Sequence, residues 1–222
     1  PTGFGGDVVR ALELAQESGR AARAVNSVLV DRYLGIMVLL AMGLLAALLW
    51  PGAASTLTLA LMVVLFAGGL AAGWLLRQPW LATLARRPGL LGRGLRRVRA
   101  DALVDAFTVY DHRALGRGLL ASLAFNLLQI GWNMALGWGL GLRLPLSVYL
   151  VCVPLTAVAL LLPAFGGLGV RELTYVGLFA QVGAPAATAL ALSLGVYLIT
   201  AATGLVGGVI YLATGVKRVR EK

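Results

Sequence analysis

The sequence predicts an all-α integral membrane protein of about six transmembrane helices, interrupted by glycine-rich broken or re-entrant segments. Three observations carry this. Hydrophobic residues make up 59% of the 222 residues and charged residues 13%, roughly half the charged share of a soluble globular domain. Several apolar runs approach the roughly 20 residues that cross a bilayer. The stretch 163–172, Pro-Ala-Phe-Gly-Gly-Leu-Gly-Val-Arg-Glu, lies between two apolar runs too short to span comfortably alone. Non-helical backbone at membrane depth is tolerated only where protein or a watery cavity satisfies its polar groups. Breaks of this kind mark ion and substrate sites in transporters.

The net charge of +10 would suggest nucleic acid in a soluble chain. In a membrane protein, basic residues gather in cytoplasmic loops, where they set orientation and meet anionic lipid, so no nucleic-acid partner is expected. The single cysteine, Cys152, lies in an apolar run and has no disulfide or metal partner in the sequence. The chain reads as one transmembrane domain over 1–222. It opens at Pro1 in a glycine-rich stretch, which we read as a longer protein whose N-terminus has been removed.

In chain order, Phe4-Gly5-Gly6…Val9-Arg10 matches Phe165-Gly166-Gly167…Val170-Arg171, each shortly after a proline. Chance similarity between glycine-rich pieces is one reading. The other is an internal repeat of the kind transporter folds carry, with both copies bordering one site. The following piece, to about residue 18, carries Glu13 and Glu17 and is too charged to span. Residues 26–50 form the first span, stopped by Pro51-Gly52. Its Asp31–Arg32 pair reads evenly as an interfacial anchor, with arginine snorkelling, or as a functional pair. Residues 56–76 form the second span. Its Gly69 and Gly73 have the small-xxx-small spacing that lets another helix approach closely.

Residues 77–117 hold nine arginines against Asp101, Asp105 and Asp111. By the positive-inside rule this loop is cytoplasmic, whereas 51–55 has no charge and suits an outer turn. Arg93, Arg96, Arg97 and Arg99 suit anionic headgroups, although topology explains them equally well. His112 reads as solvated. The third span, 118–140, carries Ser122, Asn126, Gln129 and Asn133. At 100° per residue they fall within a sector of about 60°. Helix–helix hydrogen bonding and a polar cavity lining both place that stripe inward.

Residues 146–162 form a fourth segment, followed by the 163–172 motif and then 173–182. The last span, 185–214, gathers Ser193, Tyr197, Thr200, Gly204 and Tyr211 on one face, and Gly204 with Gly208 suits a close helix contact. The tail from 215 to 222 is basic and reads as cytoplasmic. Parity then places 141–145 outside. The 163–172 motif lies either at the cytoplasmic surface or within the bilayer as a re-entrant break.

The segment Gly-Gly-Leu-Gly-Val-Arg-Glu at 166–172, after a proline and before an apolar helix, resembles the lysylphosphatidylglycerol synthase transmembrane region. Gly5-Gly6-Asp7…Arg10, Asp31-Arg32…Gly35, the stretch 101–107 and the glycine-rich final span are similar to that family's other motifs. The resemblance covers essentially the whole chain. It implies a multi-pass domain of bacterial or archaeal cell membranes that acts on lipids. In the best-understood members it moves an aminoacylated phospholipid between leaflets and is fused to a soluble aminoacyl transferase domain. Other members stand alone or join glycosyltransferase-like domains. This chain enters at the first motif, without the family's upstream helices, and carries no soluble synthase domain. The synthetic half of the activity is therefore not carried over.

For chemistry, the sequence has no Ser/His/Asp set, no metal-spaced cluster and no phosphate loop, and no cofactor is implied. An enzyme is the less favoured reading. The charge set at the two glycine motifs is Asp7, Arg10, Arg171 and Glu172. Backbone amides over 166–170, freed by Gly166, Gly167 and Gly169, would join Arg171, with Arg10, in holding a phosphate at a helix N-terminus. Glu172 and Asp7 would meet a cationic headgroup, and Asn126, Gln129 and Asn133 would line its path. The expected function is flippase-like translocation of a membrane phospholipid, with a fused or separate soluble lipid-modifying domain as partner. The alternatives are the membrane half of a lipid-modifying transferase, with Glu172 or Asp7 as base, and a non-catalytic assembly module.

Overall fold

The computed structural model describes residues 21–78, 112–161 and 169–220. Asp7, Arg10, Gly166, Gly167 and the basic stretch 79–111 lie outside the described residues, as does the N-terminal copy of the glycine motif. Six helices run through what is described: α1 Ala21–Leu49, α2 Thr56–Leu76, α3 His112–Gly139, α4 Leu146–Ala159, α5 Val170–Ala180 and α6 Ala186–Arg220. Four contain stretches long and apolar enough to cross a membrane: Val28–Leu49, Thr56–Leu76, Leu115–Gly139 and Ala186–Tyr211.

The other two helices are short. With 14 and 11 residues, α4 and α5 reach only about 21 and 17 Å at 1.5 Å per residue, less than the roughly 30 Å of a hydrocarbon core. They flank the glycine motif and make up a broken pair within the bundle. Helix α4 is its central post, packed by α1, α3 and α5. Nine of its residues, from Ser147 to Thr156, are buried, which suits a segment that is hydrophobic all round. The core around it joins Leu39, Ile130, Tyr149, Cys152, Phe179 and Leu192.

Three short turns collect at one end of the bundle. The Thr58 hydroxyl at the start of α2 donates to Gln181 Oε1 just past α5, at 2.8 Å. The α1–α2 and α3–α4 turns face each other across a shallow cavity of about 440 Å³, where Trp50, Pro51 and Ala53 meet Pro145, Leu146 and Val148. Arg143 is the one charged residue in these turns, and Arg77, Arg113 and Arg117 lie toward the opposite end. The turns 51–55 and 141–145, which parity placed on one side, thus lie at the same end of the bundle.

Local chemistry explains several boundaries. Ser55, in extended conformation, caps α2 by accepting the Thr58 N–H at 3.2 Å. Gly69 and Gly73 of α2 serve packing: a side chain at either would collide with Met37 or Tyr33 of α1, and the Tyr33 hydroxyl donates to the Gly69 carbonyl at 2.9 Å. Gly208 differs from expectation. Nothing lies within 4 Å of the position its Cβ would take, because among the described residues α6 finds its neighbours, α5 and α3, nearer its start. Asp31 is exposed, about 27 Å along α1 from its last residue, a depth suited to an interfacial anchor.

Candidate functional site

The start of α5 is built by its sequence. Gly169 adopts φ 84°, ψ −55°, a backbone conformation that glycine enters without a Cβ penalty. Its carbonyl accepts the Leu173 N–H at 3.0 Å, closing the first turn. Its own N–H donates to Glu172 Oε2 at 2.5 Å. This is half of a capping box, since glycine has no side-chain oxygen to return the bond. The first amides of a helix have no intrahelical acceptor, so α5 presents an electropositive end.

Arg171 and Glu172 occupy that first turn. The Arg171 guanidinium lies over the Tyr197 ring of α6, 5.6 Å from its centroid, within cation–π range. Arg171 Nη1 and Glu172 Oε1 are buried with no hydrogen-bond partner. Among the described residues, the third buried side-chain atom without a partner is Ser193 Oγ of α6. All three orphans therefore sit on the facing helices α5 and α6. Burying such groups unpaired costs free energy, most steeply for charges.

Two helices give the depth of this cluster. Arg171 lies ten residues before Gln181, about 15 Å from the turn end along α5. Tyr197 lies eleven residues after Ala186, about 17 Å from that end along α6. Both place the charges near half the thickness of a hydrocarbon core. The start of α5 therefore lies about 15 Å from the end of the bundle that carries the short turns.

The polar stripe of α3 divides between two duties. Asn126 is buried and donates through Nδ2 to the Gly35 carbonyl of α1 at 3.0 Å, which ties two helices together. Asn133 is 1% exposed. Its Nδ2 donates to the Gln129 carbonyl at 2.8 Å, and its Oδ1 accepts the Tyr175 hydroxyl at 2.6 Å. Tyr175 lies one turn after Arg171 on the same face of α5. It stacks on Phe179 with ring centroids 5.6 Å apart, and Phe179 meets Tyr149 edge-on at 5.6 Å. Asn133 thus supports the charged turn through Tyr175, and the Gln129 side chain is half-buried beside it.

Of the expected site residues, the structure brings Gly169, Arg171 and Glu172 together at one helix start and sets Asn133 behind them. Sequence reading missed the pairing of Arg171 with Tyr197 and of Tyr175 with Asn133. A signal was present: Arg171 and Tyr175, like Ser193 and Tyr197, are spaced by four, and the short 181–185 turn makes α5 and α6 antiparallel neighbours. No cluster of three metal-ligating side chains occurs among the described residues.

Comparison with known proteins agrees with the motifs. The family model described as the lysylphosphatidylglycerol synthase TM region matches residues 1–208. No curated protein and no solved structure gives a match.

Proposed function

Because the chain belongs to the lysylphosphatidylglycerol synthase transmembrane-region family, we propose that it is a flippase-like module that binds a phospholipid headgroup at mid-depth and carries it between leaflets. The observation that supports this most is the pair of unpartnered buried charged atoms at the start of α5, Arg171 Nη1 and Glu172 Oε1, with a third orphan, Ser193 Oγ, on the facing α6. A ligand bearing both an anionic and a cationic group would partner the two charged ones.

In this reading the amides of the first α5 turn and Arg171 Nη1 hold the phosphate, helped by the helix dipole. Glu172 Oε1 takes an ammonium group on the headgroup. The acyl chains stay in lipid, against apolar side chains such as those of Leu190, Leu194 and Leu198 on the exposed side of α6. Asp7, Arg10, Gly166 and Gly167 complete the site in this proposal, and Asn133 steadies it through Tyr175. The basic end faces the cytoplasm of a cell membrane by the positive-inside rule, and a fused or separate soluble domain would supply modified lipid. A transferase would need Glu172 as its base, yet Oε2 is committed to the Gly169 amide, which favours binding over catalysis.

The test is headgroup accessibility of fluorescent phospholipid in proteoliposomes. Arg171→Ala combined with Glu172→Ala is expected to abolish protein-dependent movement. Movement at the unsubstituted rate would overturn the site.

A further inference from the structure

Ser193 carries an assignment that the charged turn does not explain. It is 0% exposed, and its hydroxyl has no partner. A helical serine or threonine commonly returns its hydroxyl to the carbonyl four residues back. Thr156, Thr174 and Thr200 do so here, to Cys152, Val170 and Val196. Ser193 does not.

Its position is set by two helices. Ser193 lies one turn before Tyr197 on the same face of α6, and therefore about 6 Å nearer the turn end than the Arg171–Tyr197 contact. The antiparallel run of α5 brings Tyr175 to the same level. There the polar groups are already committed to one another. The Tyr175 hydroxyl is donated to Asn133 Oδ1, and Asn133 Nδ2 to the Gln129 carbonyl. Beyond this level Phe179, Ala189 and Leu192 are fully buried and close the core. A purely packing role would be filled by alanine without an unpaired hydroxyl.

Resting on the reading that the α5 start holds a headgroup, we propose that Ser193 hydrogen-bonds the headgroup's polar arm and so selects lipids with a hydrogen-bonding group one helical turn from the phosphate. The charged groups sit at Arg171 and Glu172, and the uncharged arm points toward the turn end. Ser193 is then a specificity-determining residue, and Arg171 supplies affinity common to all phosphate-bearing lipids.

The experiment measures binding of two short-chain probes to the detergent-solubilised chain: phosphatidylglycerol and phosphatidylmethanol. They carry the same charge, and only the first has headgroup hydroxyls. The unsubstituted chain is expected to favour phosphatidylglycerol about five-fold, the scale of one ordinary hydrogen bond. Ser193→Ala should remove that preference while leaving phosphatidylmethanol binding unchanged, and Ser193→Thr should keep part of it. No preference in the unsubstituted chain overturns the assignment. So does a preference that survives Ser193→Ala, as it would if the hydroxyl served only a buried water. Equal weakening of both probes would mark Ser193 as structural and also overturn it. Arg171→Ala separates the underlying reading: equal weakening of both probes supports it. Unchanged binding of both, with the Ser193-dependent preference intact, would overturn the Arg171 site and leave Ser193 standing.

Discussion

Gly43 of α1 lies against the carbonyl oxygen of Leu150 in α4, so closely that a Cβ at Gly43 would stand 2.7 Å from it. That carbonyl is the one whose helical donor would be residue 154, and Pro154 has no N–H. The same Cβ would stand 3.0 Å from Pro154 Cγ. The long helix thus crosses the central one where its hydrogen-bond ladder is interrupted, and glycine leaves room for that close approach.

Gly43→Ala should therefore force the α1–α4 crossing apart and cost about 1–3 kcal/mol, the range for an overpacked core. Gly35→Ala is the contrasting case, because nothing lies within 4 Å of the position its Cβ would take. It should be neutral or stabilising by up to about 1 kcal/mol through helix propensity. Thermal unfolding in detergent, followed by intrinsic fluorescence, checks both.

Gly169→Ala tests the entry to α5. With φ at 84°, any Cβ is strained, and the expected cost is about 1–2 kcal/mol. The loss should appear mainly as weakened lipid binding, because the strain falls at the turn that presents Arg171. Comparable affinity in the variant and the unsubstituted chain would show that this turn does not hold the ligand.

Tyr197→Leu removes the ring beneath Arg171 while keeping an apolar side chain. A partly desolvated cation–π contact is worth about 0.5–2 kcal/mol, so phospholipid affinity should fall by roughly two- to thirty-fold. Tyr197→Phe should keep most of it. Arg171→Lys should behave more like Tyr197→Leu than like the unsubstituted chain, because an ammonium lacks the planar guanidinium that stacks.

Asn133 and Tyr175 share one buried hydrogen bond of 2.6 Å, so their substitutions should not add. Each of Asn133→Leu and Tyr175→Phe leaves a buried partner unpaired, at about 1–3 kcal/mol. The double substitution should cost less than the two single costs combined, with a coupling of about 0.5–3 kcal/mol. A denaturation-based double-mutant cycle measures this.

Cys152 offers a native reporter for the aromatic cluster, since it is the chain's only cysteine and is buried. Phe179 contacts both Tyr149 and Tyr175 and is fully buried in the same core. Phe179→Ala should cost about 3–5 kcal/mol and open the core. Cys152 should then react with a water-soluble maleimide in folded proteoliposomes, where the unsubstituted chain resists it.

Much of this protein was legible in the chain itself. Apolar run length marked the four full-length helices, because crossing hydrocarbon is a demand each segment meets alone. Spacing marked the inward stripe of α3 and the packing glycines Gly69 and Gly73, because faces follow from helical period. Tertiary structure decided the rest. It sent Asn126 to the α1 backbone and Asn133 to Tyr175, although both lie on one stripe. It set Tyr197 beneath Arg171 and left Ser193 without a partner. A hydrogen-bond partner is a property of two elements, and no single segment's composition names the helix that will stand opposite.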